Sequence, residues 1–178
     1  MIDILIYVAI VLVLIVVALL AYAAAKPDTF RVQRSTGINA PAERIFPLIA
    51  NLKSMNTWNP FVEPDPAIKI TYSGPDSGKG AAHTWSGNSK VGEGRIEVTD
   101  AVPSSTVTMR LDMHKPMKAH NAVEFTLAPN GNTTTVTWAM SGRQPFLAKL
   151  MTVFIDCDKM VGSQFEKGLG KLKAIAEA

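Results

Sequence analysis

The chain has 178 residues, 18 basic and 15 acidic side chains, a formal net charge of +3 and 47% apolar residues. Its charges are interspersed rather than gathered into a stripe, which argues against a nucleic-acid partner. Its one cysteine, Cys157, excludes an intrachain disulfide and a cysteine-rich metal site.

From Ile4 to Ala25 there is no charged residue and no proline, a run of 22 residues. As a helix at about 1.5 Å per residue it would be about 33 Å long, enough for a bilayer core of about 30 Å. A cleaved signal peptide has a basic start and a shorter apolar region. Here the chain begins Met1-Ile2-Asp3, and only the small residues of Ala21-Tyr22-Ala23-Ala24-Ala25 suit a peptidase. The reading preferred is a single transmembrane helix over residues 1–25. Apolar residues on every face argue against a core helix, and Tyr7 and Tyr22 suit the two interfaces. Positive charge (Lys26, Arg31, Arg34) flanks only the C-terminal side, which places the rest of the chain on the cytoplasmic side. Residues 26–178 carry a net charge of +4 and have the length of one ordinary domain.

After the short linker Lys26-Pro27-Asp28, Phe30, Val32, Thr36 and Ile38 alternate with polar residues and predict a strand. Ala40-Pro41-Ala42-Glu43 opens a helix whose apolar face is Ile45, Leu48, Ile49 and Leu52, with Pro47 expected to kink or break it. Period-two alternation then recurs around Ile70, His83, Ile96, Met109, Phe125 and Trp138, six successive antiparallel strands joined by turns that include Asn130-Gly131. From Pro145 the period is helical again. Leu147, Leu150, Met151 and Phe154 form one patch; Val161, Phe165, Leu169, Leu172 and Ile175 form a stripe. Gly162, Gly168 and Gly170 lower helix propensity, or let the helix lie close to something bulky.

This order is strand, broken helix, antiparallel meander, long final helix, an α+β domain. Only the last helix is long and amphipathic enough to cover the apolar face of the sheet, and a curved sheet gripping a helix leaves room for a cavity.

Several stretches resemble the polyketide cyclase/dehydrase-like branch of the START-like (SRPBCC) superfamily. They are Ala40-Pro41-Ala42-Glu43-Arg44-Ile45-Phe46, Trp58-Asn59-Pro60, Thr84-Trp85-Ser86-Gly87-Asn88, Val91-Gly92-Glu93-Gly94, Thr137-Trp138-Ala139-Met140-Ser141-Gly142 and Phe165-Glu166-Lys167-Gly168-Leu169. The resemblance runs from about Thr29 to Ala174. It implies a helix-grip fold with a hydrophobic cavity beneath the last helix. That superfamily includes lipid carriers, aromatic polyketide cyclases, pollen allergens, ubiquinone-binding proteins and chaperone activators. Its motif carries no shared catalytic residue, so none is transferred.

The expected cavity wall is Trp58, Tyr72, His83, Trp85, Met109, Leu111, Phe125, Trp138, Met140, Val161 and Phe165, with Trp58 near the mouth. His83 shares a strand face with Trp85. It is the one candidate for a hydrogen bond to a ligand or for acid/base work, against the plainer reading of a histidine at the rim or satisfied by backbone. His114 and His120 bracket a loop, and no two histidines sit at ligand spacing on one element, so neither a metal nor a cofactor is expected. Asp156 and Asp158 point in different directions on a helix and read as solvated or paired with Lys159. Cys157 has no base nearby in sequence. Glu93 or Glu124 would enter the cavity only if a bulge shifted the register.

These features predict a membrane-anchored domain that binds or carries a lipophilic small molecule such as a lipid, isoprenoid, quinone or polyketide-like compound. Two alternatives stand beside it: a cyclase or dehydratase acting in the same cavity, and a protein-interaction module of the chaperone-activator type with a filled core.

Overall fold

Ile2–Ala25 form helix α1 in the computed structural model, which describes residues 2–178. Its Ile4–Ala25 stretch is long and apolar enough to cross a membrane. Side chains from Ile4 to Ala18 are exposed on every side, whereas Leu19, Ala23 and Lys26, spaced one helical turn apart, are covered.

The rest of the chain alternates as predicted. After β1 (Thr29–Ile38) come two short helices, α2 (Ala42–Ala50) and α3 (Leu52–Met55). The meander follows: β2 (Lys69–Ser73), β3 (Ala82–Ser86), β4 (Glu93–Val102), β5 (Thr106–Lys115), β6 (Ala119–Asn130) and β7 (Thr133–Arg143). The chain ends with α4 (Phe146–Phe154) and α5 (Cys157–Glu177). The seven strands form one antiparallel sheet in the order β1-β7-β6-β5-β4-β3-β2. The first strand pairs with the last, from Thr29 opposite Arg143 to Ile38 opposite Thr134. The segments preceding β1 and following β7 therefore leave the sheet at one corner, where the Gln144 N–H donates to the Asp28 carbonyl at 2.7 Å.

Local chemistry adjusts two boundaries. Pro47 lies inside α2 without ending it; the break comes at Asn51, whose side chain accepts from the N–H groups of Lys53 and Ser54 and so caps α3. The expected single final helix is two helices. The chain leaves helical geometry at Ile155, and the Asp156 carboxylate restarts it by accepting from Lys159 N at 2.9 Å.

The sheet curves around α5. Its β4–β5 pairing slips register at Glu93/Gly94 and Val98/Asp100, and such irregularities bend and twist a sheet. The outer face is charged and carries Arg31–Glu124 and Arg110–Asp112 pairs. The inner face packs on Phe165, Leu169, Leu172 and Ala176 of α5, at spacings of four, three and four. The predicted stripe ended on Ile175; at about 100° per residue, Ala176 is the position that lies beneath Leu172, and Ile175 is exposed.

Gly168 is where α5 lies close against Trp138 of the sheet. A Cβ there would lie 2.8 Å from Trp138 Cζ3 and 2.9 Å from Pro60 Cδ, while one at Gly170 would meet nothing within 4 Å. Helix propensity alone favours alanine over glycine by up to about 1 kcal/mol. Gly170→Ala is therefore expected to raise stability by up to about 1 kcal/mol, and Gly168→Ala to lower it, both read by urea denaturation. Equal gains at the two sites would contradict the close approach.

Candidate functional site: an apolar cavity between sheet and helix

The inner face of the sheet is divided. At one end Val107, Met109, Phe125 and Val136 are fully buried beneath α2 and the C-terminal half of α5. At the other end Leu111, Met113, Asn121 and Met140 are only half-buried, because α2 and α3 do not reach them. The space left there is a cavity of about 310 Å³, at the lower end of the range for small-molecule sites.

Three structures enclose it. The N-terminal half of α5 contributes Val161 and Phe165. The loop after α3 contributes Asn59, Phe61 and Val62, and the β3–β4 loop Lys90 and Val91. The two loops are tied together: the buried Asp65 carboxylate accepts from Asn88 N at 2.6 Å and from Ala67 N at 3.0 Å. Glu63, on the first loop, pairs with Lys167 and Lys171 of α5. Each surface pair stabilises little alone, but together they hold the loop against the helix.

An aromatic cluster forms the boundary between cavity and closed core. Trp138 stacks on Phe165 with ring centroids 4.2 Å apart, and Phe61 stands edge-on to both. Behind Trp138 lie Phe125 and Trp58.

Trp58 differs from expectation. It is fully buried, with its Nε1–H donating to the Leu48 carbonyl at 2.9 Å, so it packs the core and does not stand at the mouth. Met109 and Phe125 also sit in the closed core and not on the cavity wall. Tyr72 lies on the edge strand, exposed, its hydroxyl accepting from Asn56 Nδ2 at 3.0 Å, outside the cavity. His83, Trp85, Leu111, Trp138, Met140, Val161 and Phe165 do line it. So do Met113 and Asn121, which simple continuation of the β5 and β6 alternation reaches. Phe61 and Val62 carry no such signal, because loop geometry has no sequence period, and neither does Met55, the last residue of the one-turn helix α3.

Two ring nitrogens on this wall are unusual. His83 is 4% exposed and Trp138 is 3% exposed. Among the described residues, neither His83 Nδ1 nor Trp138 Nε1 finds a well-formed hydrogen bond. A buried polar atom left in that state costs about 1–3 kcal/mol. His83 Nε2 lies 3.4 Å from Asn56 Nδ2; if the amide donates there, the imidazole proton sits on Nδ1. Both unpartnered atoms are then N–H donors, on strands β3 and β7.

The remaining ionisable candidates lie elsewhere. Glu93 pairs with Lys115 and Glu124 with Arg31 on the outer surface, so the register slip at Glu93 does not turn a carboxylate inward. His114 and His120 lie on the strands either side of the β5–β6 loop, and His120 Nδ1 donates to Asp112 at 2.6 Å. Asp156 is a helix cap, and Asp158 pairs with Arg34 at 2.9 Å rather than with Lys159. Cys157 is half-buried at the start of α5.

Burial pushes the His83 imidazolium down from 6.5 to about 4, outweighing a backbone contact with Thr84 that acts in the opposite direction. Between those values the unfolded chain binds a proton that the folded chain does not, so this residue makes stability fall as pH drops from about 6.5 to about 4. The difference amounts to about 3 kcal/mol when fully developed. Urea denaturation at pH 7.5 and pH 4.5 is expected to show a smaller acid loss for His83→Gln than for the wild type. Equal losses would mean His83 is charged or solvated in the fold.

No curated protein matches the chain. Solved structures do. Major latex-like protein 151 of Panax ginseng superposes with a TM-score of 0.61 at 10% identity, covering 85% of this chain and 100% of its own. Protein CV1439 of Chromobacterium violaceum gives 0.59 at 15% identity, covering 86% and 99%. The Aha1 dimer of Colwellia psychrerythraea gives 0.58 at 20% identity, covering 83% and 96%. These likenesses establish the helix-grip fold. Residues 29–177, essentially everything beyond α1, match the family described as polyketide cyclase/dehydrase and lipid transport, and the chain belongs to that family.

Proposed function

We propose that this protein is a membrane-anchored binding or carrier domain for a lipophilic small molecule bearing at least one hydrogen-bond acceptor. In this reading residues 1–25 anchor the chain and residues 26–178 form the binding domain, on the cytoplasmic side by the charge flanking α1. The ligand is of lipid, isoprenoid, quinone or polyketide-like character. The observation that carries the reading is a cavity of about 310 Å³ with a mostly apolar wall and two buried ring nitrogens that find no well-formed hydrogen bond among the described residues. Apolar burial would supply most of the affinity. A ligand carbonyl or hydroxyl would relieve the cost of the unpartnered donors and fix orientation. Met113 and Met140 suit a wall that must adapt to its occupant. An anchor fits such a ligand, because a molecule that partitions into a bilayer is concentrated there.

The family description supports the lipophilic class and also admits catalysis. A cyclase or dehydratase would have to use His83, which burial keeps neutral and so available as a base rather than as an acid. The interaction-module reading required a filled core, and the cavity counts against it.

Native mass spectrometry of residues 26–178 purified without detergent, followed by organic extraction, is expected to find a bound apolar species. An empty protein that also takes up no lipophilic fluorescent probe would defeat the proposal. With a bound species in hand, Trp138→Phe keeps the ring stack and removes one donor. Affinity is then expected to drop by about 1 kcal/mol, roughly fivefold. Unchanged affinity would mean that the ligand does not use this nitrogen.

A further inference from the structure

Helix α4 is built inside out for a protein in water. Leu147, Met151 and Phe154 fall on one stripe at spacings of four and three, and they point outward; Leu147 is 63% exposed and Phe154 74%. Lys149, on the opposite side, is the buried residue of the helix. Its ammonium pairs with Asp28 at 2.6 Å. Thr152 lies on the same inner side, where its carbonyl and hydroxyl accept from Lys26 Nζ at 2.7 and 3.0 Å. A helix facing water puts its apolar stripe on the core and its lysines outside. Here the polar groups face the protein and the apolar stripe does not, and Ile155 and Met160 beyond it extend the exposed patch. Contiguous apolar surface of this kind marks a contact with lipid or protein.

What covers it follows from where it lies. The antiparallel pairing of Thr29 with Arg143 brings the end of α1 and the start of α4 to one corner of the sheet. The last turn of α1, through Ala23, packs on α4, and Lys26 ties the two together. The apolar patch is thus continuous with the apolar surface of α1. We infer that α4 is an interfacial helix, its Leu147–Met151–Phe154 stripe sunk into the phospholipid surface that α1 enters, so that the domain rests on the bilayer in one fixed orientation. Such helices bury their apolar face about 5–10 Å into the headgroup–acyl boundary. The inner polar contacts leave the helix free to present that face without exposing Lys149.

The orientation bears on the cavity. Val161, one turn into α5, lines it, and Asn121 of its wall abuts Gly142, four residues before α4. The end of the cavity near Asn121, Met140 and Val161 therefore lies beside the membrane-facing corner. A lipophilic ligand would have a short path from lipid to cavity.

The inference rests on α1 being a membrane anchor, and the test separates the two. In the full chain with Cys157→Ser, single cysteines are placed by Val11→Cys, Leu147→Cys, Phe154→Cys and Ala174→Cys and labelled with an environment-sensitive fluorophore. The protein is reconstituted in vesicles of phosphatidylcholine and phosphatidylglycerol. The labels at 147 and 154 are expected to shift to the blue and to lose most of their emission to shallow nitroxide lipids. The label at 11 should respond to deep nitroxide lipids, and the one at 174 to aqueous iodide alone. If the label at 11 meets lipid while those at 147 and 154 remain open to iodide, the anchor stands and the interfacial helix is overturned. If the label at 11 fails to meet lipid, the anchor itself is wrong. Labels at 147 and 154 shielded from iodide but unquenched by nitroxide lipids would show a protein surface or a second copy on the patch, and would also overturn the inference.

Discussion

The contact between Trp138 and α5 governs the rest of this molecule. The indole lies flat against Phe165 at 4.2 Å, and Gly168 provides the missing volume that lets the helix come down beside it. Aromatic pairs add about 0.5–1.5 kcal/mol beyond the area they bury; the geometric consequence is larger. With α5 pinned at this point, its C-terminal half closes on Phe125, Met109 and Val107. Its N-terminal half faces side chains that α2 and α3 do not cover, and the cavity is the space that remains. Trp138 is at once core residue and cavity wall, and its ring nitrogen has been desolvated without a protein partner among the described residues.

Charge is arranged so that the cavity stays neutral at physiological pH. Carboxylates on the strands beside the cavity are turned outward and paired, Glu93 with Lys115 and Asp112 with His120 and Arg110. Of the ionisable residues on the wall, Lys90 is exposed at its rim and His83 is buried and uncharged. This suits uptake of an apolar molecule with neutral acceptors, since an unpaired charge would penalise it. The wall is closed by Glu63 and Asp65, two acids whose partners belong to α5 and to the β3–β4 loop.

The closure of β1 on β7 has an effect of its own, at the corner of the sheet where α1 and α4 meet. It joins the first helix to the helix after the last strand, and the polar contacts among Lys26, Asp28, Lys149 and Thr152 fasten them. A linker as short as Lys26-Pro27-Asp28 would in any case keep the domain near α1. The pairing decides which corner it is held by, and hence which end of the cavity lies nearest to it.

Alternation and helical spacing were enough to read seven strands, the helix face that covers them and the apolar N-terminal run, because each element repeats its buried positions at a fixed period. The same periods placed His83, Trp85, Leu111, Trp138 and Met140 on the inner face. They did not say which inner positions would be core and which cavity. Trp58 and Tyr72 show why: one is carried inward by the turn after α3 and its indole bond to Leu48, the other left outside on an edge strand whose neighbour exists on one side only. Phe61 and Val62 come from a loop, where no period exists. The inverted face of α4 goes with the pairing of buried Lys149 to the exposed Asp28, a contact between residues far apart in the chain. Sequence determined the elements and their apolar faces, since those depend on neighbours in the chain. Only tertiary structure decided where the packing fails to close, since a cavity is a property of surfaces brought together from β3 to β7, α5 and two loops.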